Sequence, residues 1–127
     1  MKLSTFAVIL AIIALGYGLA LVFIPASFSE NYGIILDKYG VLPARAYGLA
    51  LCQLGIIFWM SRNIPPSDKV WRILLVTTIL FNLVNIPLAI VNISNGLANS
   101  MGWTTVAVHA LIVLGASYFA FSKSTSK

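Results

Sequence analysis

Charge is what this 127-residue chain has least of: Asp, Glu, Lys and Arg make up 9% of it, where a soluble domain carries about a quarter. Set beside 60% hydrophobic residues, that scarcity excludes an ordinary water-soluble domain and points to an integral membrane protein. Cysteine is nearly absent. The single one, Cys52, leaves no intramolecular disulfide framework and no CxxC pair, so a quinone-linked thiol oxidoreductase is not expected. Histidine also occurs once, as His109, and one histidine among Asn, Gln and Thr does not make a zinc site. The three acidic residues, Glu30, Asp37 and Asp68, all lie outside the long apolar runs. This speaks against a proton-coupled pump or a cation exporter built on a central carboxylate. There is no HExxH, no Gly-rich phosphate loop and no Ser nucleophile motif. The net charge of +5 invites a nucleic-acid reading, but most basic residues flank apolar segments, where they act as topology signals. No nucleic-acid partner is expected.

Four apolar stretches dominate what is present: 3–24, 42–62, 70–92 and 102–122. Each meets the roughly 20 residues that a membrane-crossing helix needs. The expected fold is therefore all-α, a four-transmembrane-helix bundle forming one domain over 1–127, with a short amphipathic element between the first and second helices. The first run, after Lys2, has a signal-peptide layout, but it is too long for an h-region and no small-x-small cleavage site follows. It reads as a retained helix stopped by Pro25. Ser4, Ala7, Ala11, Ala14 and Gly18 form a seam of small residues along it, the kind that lets helices approach closely in lipid.

The stretch 26–41 is too polar to span and too apolar for a free loop. Ser27 followed by Glu30 fits a capping box, so a short interfacial helix is expected to begin there, with Phe28, Tyr32 and Tyr39 at headgroup level. In the second segment Pro43 suits a first helical turn. Arg45, Gly48, Cys52, Gly55 and Trp59 share a face, with Gln53 about 80° round from Arg45. The short NIPPSDK link predicts that the second and third segments are antiparallel neighbours. In the third, Thr78, Asn82, Asn85, Ala89 and Asn92 follow at spacings of four, three, four and three, on one face. That face should look into protein, because an amide in hydrocarbon without a partner costs a few kcal/mol. Pro87 frees the carbonyl of Leu83 and is expected to kink the helix. In the fourth, Asn99 or Ser100 is a candidate cap, and Thr105, His109, Ile112 and Ala116 form the interior seam.

Lys2, Arg62, Lys69, Arg72, Lys123 and Lys127 fall on one side of a four-helix layout, against Lys38 and Arg45 on the other. By the positive-inside rule both termini face the cytoplasm. At a rise of 1.5 Å per residue, Arg45 then lies about one turn below the outer face, His109 and Asn85 about 10 Å down, and Asn82 and Gln53 near the midplane. These five residues are the expected lining of an outward-facing polar pocket, roofed by Glu30 and Asp37. Each has a plainer use. Arg45 can snorkel or pin the loop through Glu30 or Asp37, and the amides can hydrogen-bond between helices, with Asn82 and Asn85 meeting Gln53 and His109. As catalytic candidates, His109, Arg45, Glu30 and Asp37 supply an acid–base pair and a positive charge, but no spacing demands catalysis.

The residues Pro25, Tyr32-Gly33, Ala44-Arg45-Ala46-Tyr47-Gly48, Gly55, Arg62, Asn99, Gly102-Trp103 and His109 give the chain a layout that resembles small bacterial DoxX-like four-helix membrane proteins. The resemblance covers nearly the whole chain. It implies the four-helix architecture, a place in a bacterial cytoplasmic membrane, and attention to Arg45, Gly48 and His109. Members of that group are mostly of unknown function, some being associated with respiratory or redox complexes, so it implies no reaction.

Taken together, the leading expectation is a non-enzymatic membrane protein. It would be an accessory subunit, in a homo-oligomer or with other membrane subunits, or a binder of a lipophilic small molecule. A cofactor-free isomerase or cyclase acting on a lipid or isoprenoid substrate is the alternative, and a small oligomeric transporter or channel the third. No metal and no resident cofactor are expected; haem on His109, or a quinone, is the variant that the residues leave room for.

Overall fold

A computed structural model of the chain describes residues 1–122; Lys123 and Lys127, used above as topology signals, lie outside the described residues. Five helices follow in order: α1 (Leu3–Phe23), α2 (Pro25–Glu30), α3 (Lys38–Ser61), α4 (Lys69–Ser94) and α5 (Gly102–Phe121). All but α2 are long and apolar enough to cross a membrane. The architecture is an all-α bundle of four spanning helices, and the chain is a multi-pass membrane protein. Large apolar side chains such as Ile12, Leu80, Leu88 and Leu114 are exposed along these helices, as lipid-facing surfaces require.

Local chemistry moves several boundaries from where the pattern puts them. The interfacial helix starts at Pro25, whose fixed φ suits a first helical position, and no side chain caps it. The Ser27–Glu30 capping box does not form. Gly33, at φ +75°, turns the chain out of this element. The next helix begins at Lys38, earlier than expected, because the Asp37 carboxylate accepts from the backbone N–H groups of Tyr39 (3.0 Å) and Gly40 (2.8 Å). Pro43 consequently sits inside α3 and not in its first turn. Asp68 caps α4 in the same way, accepting from Val70 N–H at 2.9 Å. α4 runs through Pro87 without a break.

Packing divides the bundle into two antiparallel pairs, α1 with α3 and α4 with α5. The expectation that the short link makes α3 and α4 close neighbours is not met: their backbones do not pack along their lengths. What decides the pairing is the small residues. A Cβ on Gly18 would lie 2.7 Å from the Gly48 carbonyl oxygen, and one on Gly55 would lie 3.1 Å from that of Ala11. Only glycine permits these backbones to approach so closely. Ala7, Ala11, Ala14 and Gly18 of the predicted seam are all buried.

The two pairs meet at one end. There Leu3, Phe6, Ala7, Leu10 and Ala11 of α1 cluster with Phe58 of α3, Trp71 and Leu75 of α4 and Ala116 of α5. Trp71 is 2% exposed, and its indole N–H donates to the carbonyl of Ile64 at 3.1 Å, which ties the α3–α4 link onto this core. Phe6 also reaches across to Gly115, where a Cβ would lie 2.6 Å from its ring. We refer to this as the closed end. Toward the opposite end the pairs part and leave a space between them.

Candidate functional site

A cavity of about 610 Å³ lies between the helix pairs, with Leu10 and Phe58 near its base and Phe28, Tyr32, Ala98 and Gly102 near the far end. That size is within the range of small-molecule sites. Its walls are largely apolar, and its polar groups are concentrated on α4 and α5. Thr78, Asn82, Asn85, Ala89 and Asn92, the one-face series of α4, all line it. From α5 come Thr105, His109 and Ile112, while Ala116, the last of that seam, is fully buried in the closed-end core.

One hydrogen bond joins the two helices inside the cavity. His109 Nδ1 lies 2.6 Å from Asn82 Oδ1. Asn82 Nδ2 meanwhile donates to the carbonyl of Thr78 one turn back, at 2.7 Å. That second bond orients the amide, so its oxygen is the atom facing the histidine. An amide oxygen only accepts, hence the hydrogen of the neutral imidazole sits on Nδ1, which donates to it. Nε2 is left as the acceptor of the ring. No partly buried side-chain nitrogen or oxygen among the described residues is sealed from solvent without a partner, so Nε2, which has none, keeps accessible surface. Asn85 turns the other way: its Nδ2 donates to the carbonyl of Phe81 at 2.8 Å. It contributes its remaining acceptor, and not an interhelical bond.

Across the cavity stands an aromatic group absent from the predicted site. Tyr17 of α1 and Tyr32 after α2 are hydroxyl to hydroxyl at 3.2 Å, and Phe28 packs edge-on to Tyr17 with centroids 5.4 Å apart. Tyr47 of α3 also lines the space. The sequence carries a signal for Tyr17, since it is the one residue with a polar side-chain group in the C-terminal half of α1 and stands three places after Ala14 of the seam.

The remaining predicted site residues lie elsewhere. Arg45 and Gln53 are exposed on α3 and are not among the lining residues. Gln53 makes no side-chain hydrogen bond within the described residues, and Asn82 and Asn85 do not reach it. Glu30 is exposed at the end of α2, and the carboxylate of Asp37 is committed to capping α3. Neither lines the cavity. The far end is bridged by backbone and amide instead. Asn99 N–H donates to the Tyr32 carbonyl at 2.8 Å, and Asn99 Nδ2 donates to that of Asn31 at 3.0 Å. Asn99 therefore fastens the loop of one helix pair to the loop of the other, while its Oδ1 accepts from Met101 N–H just before α5. Among the described residues no group of three His, Cys, Asp or Glu side chains is placed to hold a metal.

Comparison with protein-family models, with curated proteins and with solved structures finds no match to this chain.

Proposed function

We propose that this protein binds a lipophilic small molecule in the cavity between its helix pairs, without a resident cofactor. The observation that carries the reading is the coincidence of a largely apolar space of about 610 Å³ with an oriented interhelical polar pair, His109–Asn82, in its wall. Such sites are mostly apolar, with a few polar groups that fix orientation. A packing defect would have no need of a histidine held in one tautomer. The positive-inside rule supports a cytoplasmic closed end, since Lys2, Arg62, Lys69 and Arg72 gather there, against Lys38 and Arg45 at the other. The DoxX-like resemblance supports a bacterial cytoplasmic membrane. The direct test is native mass spectrometry of gently extracted protein. A specific small-molecule adduct that is lost on Leu54→Trp, which fills the cavity from α3, is the expected result; an adduct-free protein in every mild extraction would refute it.

A second reading, a subunit that contacts another membrane helix, is favoured by Gln53. Its exposed side chain lies about 12 Å from the inner end of α3 at 1.5 Å per residue, deep within a hydrocarbon core about 30 Å thick. An amide facing lipid there is costly, and a polar group on a neighbouring helix would satisfy it. Cross-linking in native membranes through cysteines placed at Leu49 and Ile56, on the same face, tests this. Loss of the cross-linked product with Gln53→Leu is expected, and the absence of any product would refute it.

A further inference from the structure

We infer that the molecule held in the cavity carries a hydroxyl group and donates its hydrogen to His109 Nε2; this rests on the ligand-binding reading above and names the chemistry of that site. The inference follows from which atom of the imidazole is free. Asn82 is itself oriented by the Thr78 carbonyl, so its oxygen faces His109 Nδ1 and claims the ring hydrogen. The site is thus built in two steps, helix backbone to amide and amide to imidazole, and the product of both is one unprotonated, accessible nitrogen on a residue that lines the cavity.

A ligand whose only polar atom is a carbonyl or ether oxygen would bring lone pair against lone pair at that point. An alcohol or phenol brings a hydrogen. Its oxygen then still has lone pairs, and Thr105, one turn before His109 on α5, lines the same wall with a hydroxyl that can donate to them. Phe28 and the Tyr17–Tyr32 pair complete the opposite side with ring faces and edges suited to an apolar body. The class is a predominantly hydrocarbon alcohol, taken up from the membrane.

The test uses the full-length protein in lipid nanodiscs and three probes of one scaffold: 1-dodecanol, 1-methoxydodecane and 2-dodecanone. Binding of each is measured by competition against a brominated dodecanol that quenches the protein's tryptophan fluorescence. A neutral hydrogen bond in place of an unmet acceptor is expected to make dodecanol about fivefold tighter than either analogue. Asn82→Leu releases the ring hydrogen from Nδ1 and should reduce that preference to near unity while all three probes still bind. The histidine is unique in the chain, so a single ¹⁵N-histidine spectrum reports its tautomer directly and should show Nδ1 protonated in the wild type. Equal binding of the three probes to the wild type would overturn the hydroxyl assignment and leave the ligand-binding reading standing. Failure of all three to bind would overturn both.

Discussion

Gly48→Ala should separate α1 from α3. The added methyl carbon would lie 2.7 Å from the Gly18 carbonyl oxygen, 2.9 Å from Leu21 Cβ and 3.0 Å from Val22 N. Two of these atoms are main chain and the third is a Cβ, so none can swing aside by changing rotamer. Ordinary contact begins near 3.4 Å, which leaves about 0.7 Å to be recovered by moving one helix away from the other. A shift of that size also loosens the neighbouring contacts of Gly18 and Gly55, because they belong to the same rigid interface. Overpacking of this kind costs about 1–3 kcal/mol. With main-chain and Cβ atoms at 2.7–3.0 Å the upper end of that range applies, and better helix propensity returns at most about 1 kcal/mol, so the expected net loss is about 2 kcal/mol. Gly16→Ala is the matched control. It is on the same α1–α3 pair with nothing within 4 Å of the new carbon, so it should be neutral or stabilising by up to about 1 kcal/mol. Unfolding by SDS titration in dodecyl maltoside micelles, followed by circular dichroism, reads both. If Gly48→Ala unfolds at the same SDS fraction as the wild type, the claim that backbone approach holds this pair together is wrong.

Phe58→Ala should be the most damaging of the substitutions considered, costing about 3–5 kcal/mol by the same titration, because a side chain 1% exposed at the junction of both helix pairs is removed. Asn99→Ala removes the bond to the Asn31 carbonyl and the one from Met101 N–H but keeps the backbone bond to Tyr32. For exposed bonds a loss of about 1 kcal/mol is expected, seen in hydrogen-exchange mass spectrometry as faster exchange confined to 31–37 and 97–102. In a Cys52→Ala background, Ser67→Cys and Ser100→Cys should react with an impermeant maleimide from opposite sides of sealed vesicles. Reaction from the same side would contradict the four-crossing layout.

Element type and number were legible because a run of about 20 apolar residues has few alternatives to a spanning helix. The polar face of α4 was legible for the same reason that it exists: five small or polar residues at helical spacing cannot all look into lipid. Boundaries were less so. The sequence offers Asp37 as a partner for Arg45, yet a carboxylate two and three residues before free backbone N–H groups is already a cap, and that nearer use prevails. Tyr17 does not stand out in the sequence, because a tyrosine within an apolar helix is one more aromatic until the fold brings Tyr32 beside it. Arg45 shares a face with Gly48, Cys52 and Gly55, and Gln53 lies about 80° round from it, but helical spacing gives angles around one axis and not which side another helix will occupy.

That last gap is what separates a bundle with a cavity from a bundle without one. A seven-residue link brings the ends of α3 and α4 together, and in a tightly packed four-helix protein it would bring their lengths together too. Here the glycines draw α3 to α1 instead. Gly48 and Gly55 face the Gly18 and Ala11 backbones, and α4 offers α3 no comparable surface, since its inward face carries Asn82, Asn85 and Asn92. Close approach to α3 along that face would press the Asn92 amide and the remaining acceptor of Asn85 against an apolar wall without partners. The polar residues thus act twice. They hold α4 to α5 through Asn82 and His109, and they keep α3 from closing over them. Trp71 and Phe58 bring the pairs together at one end, and Asn99 bridges their loops at the other. The cavity follows from this division of contacts: small residues decide which helices touch, and amides decide which do not.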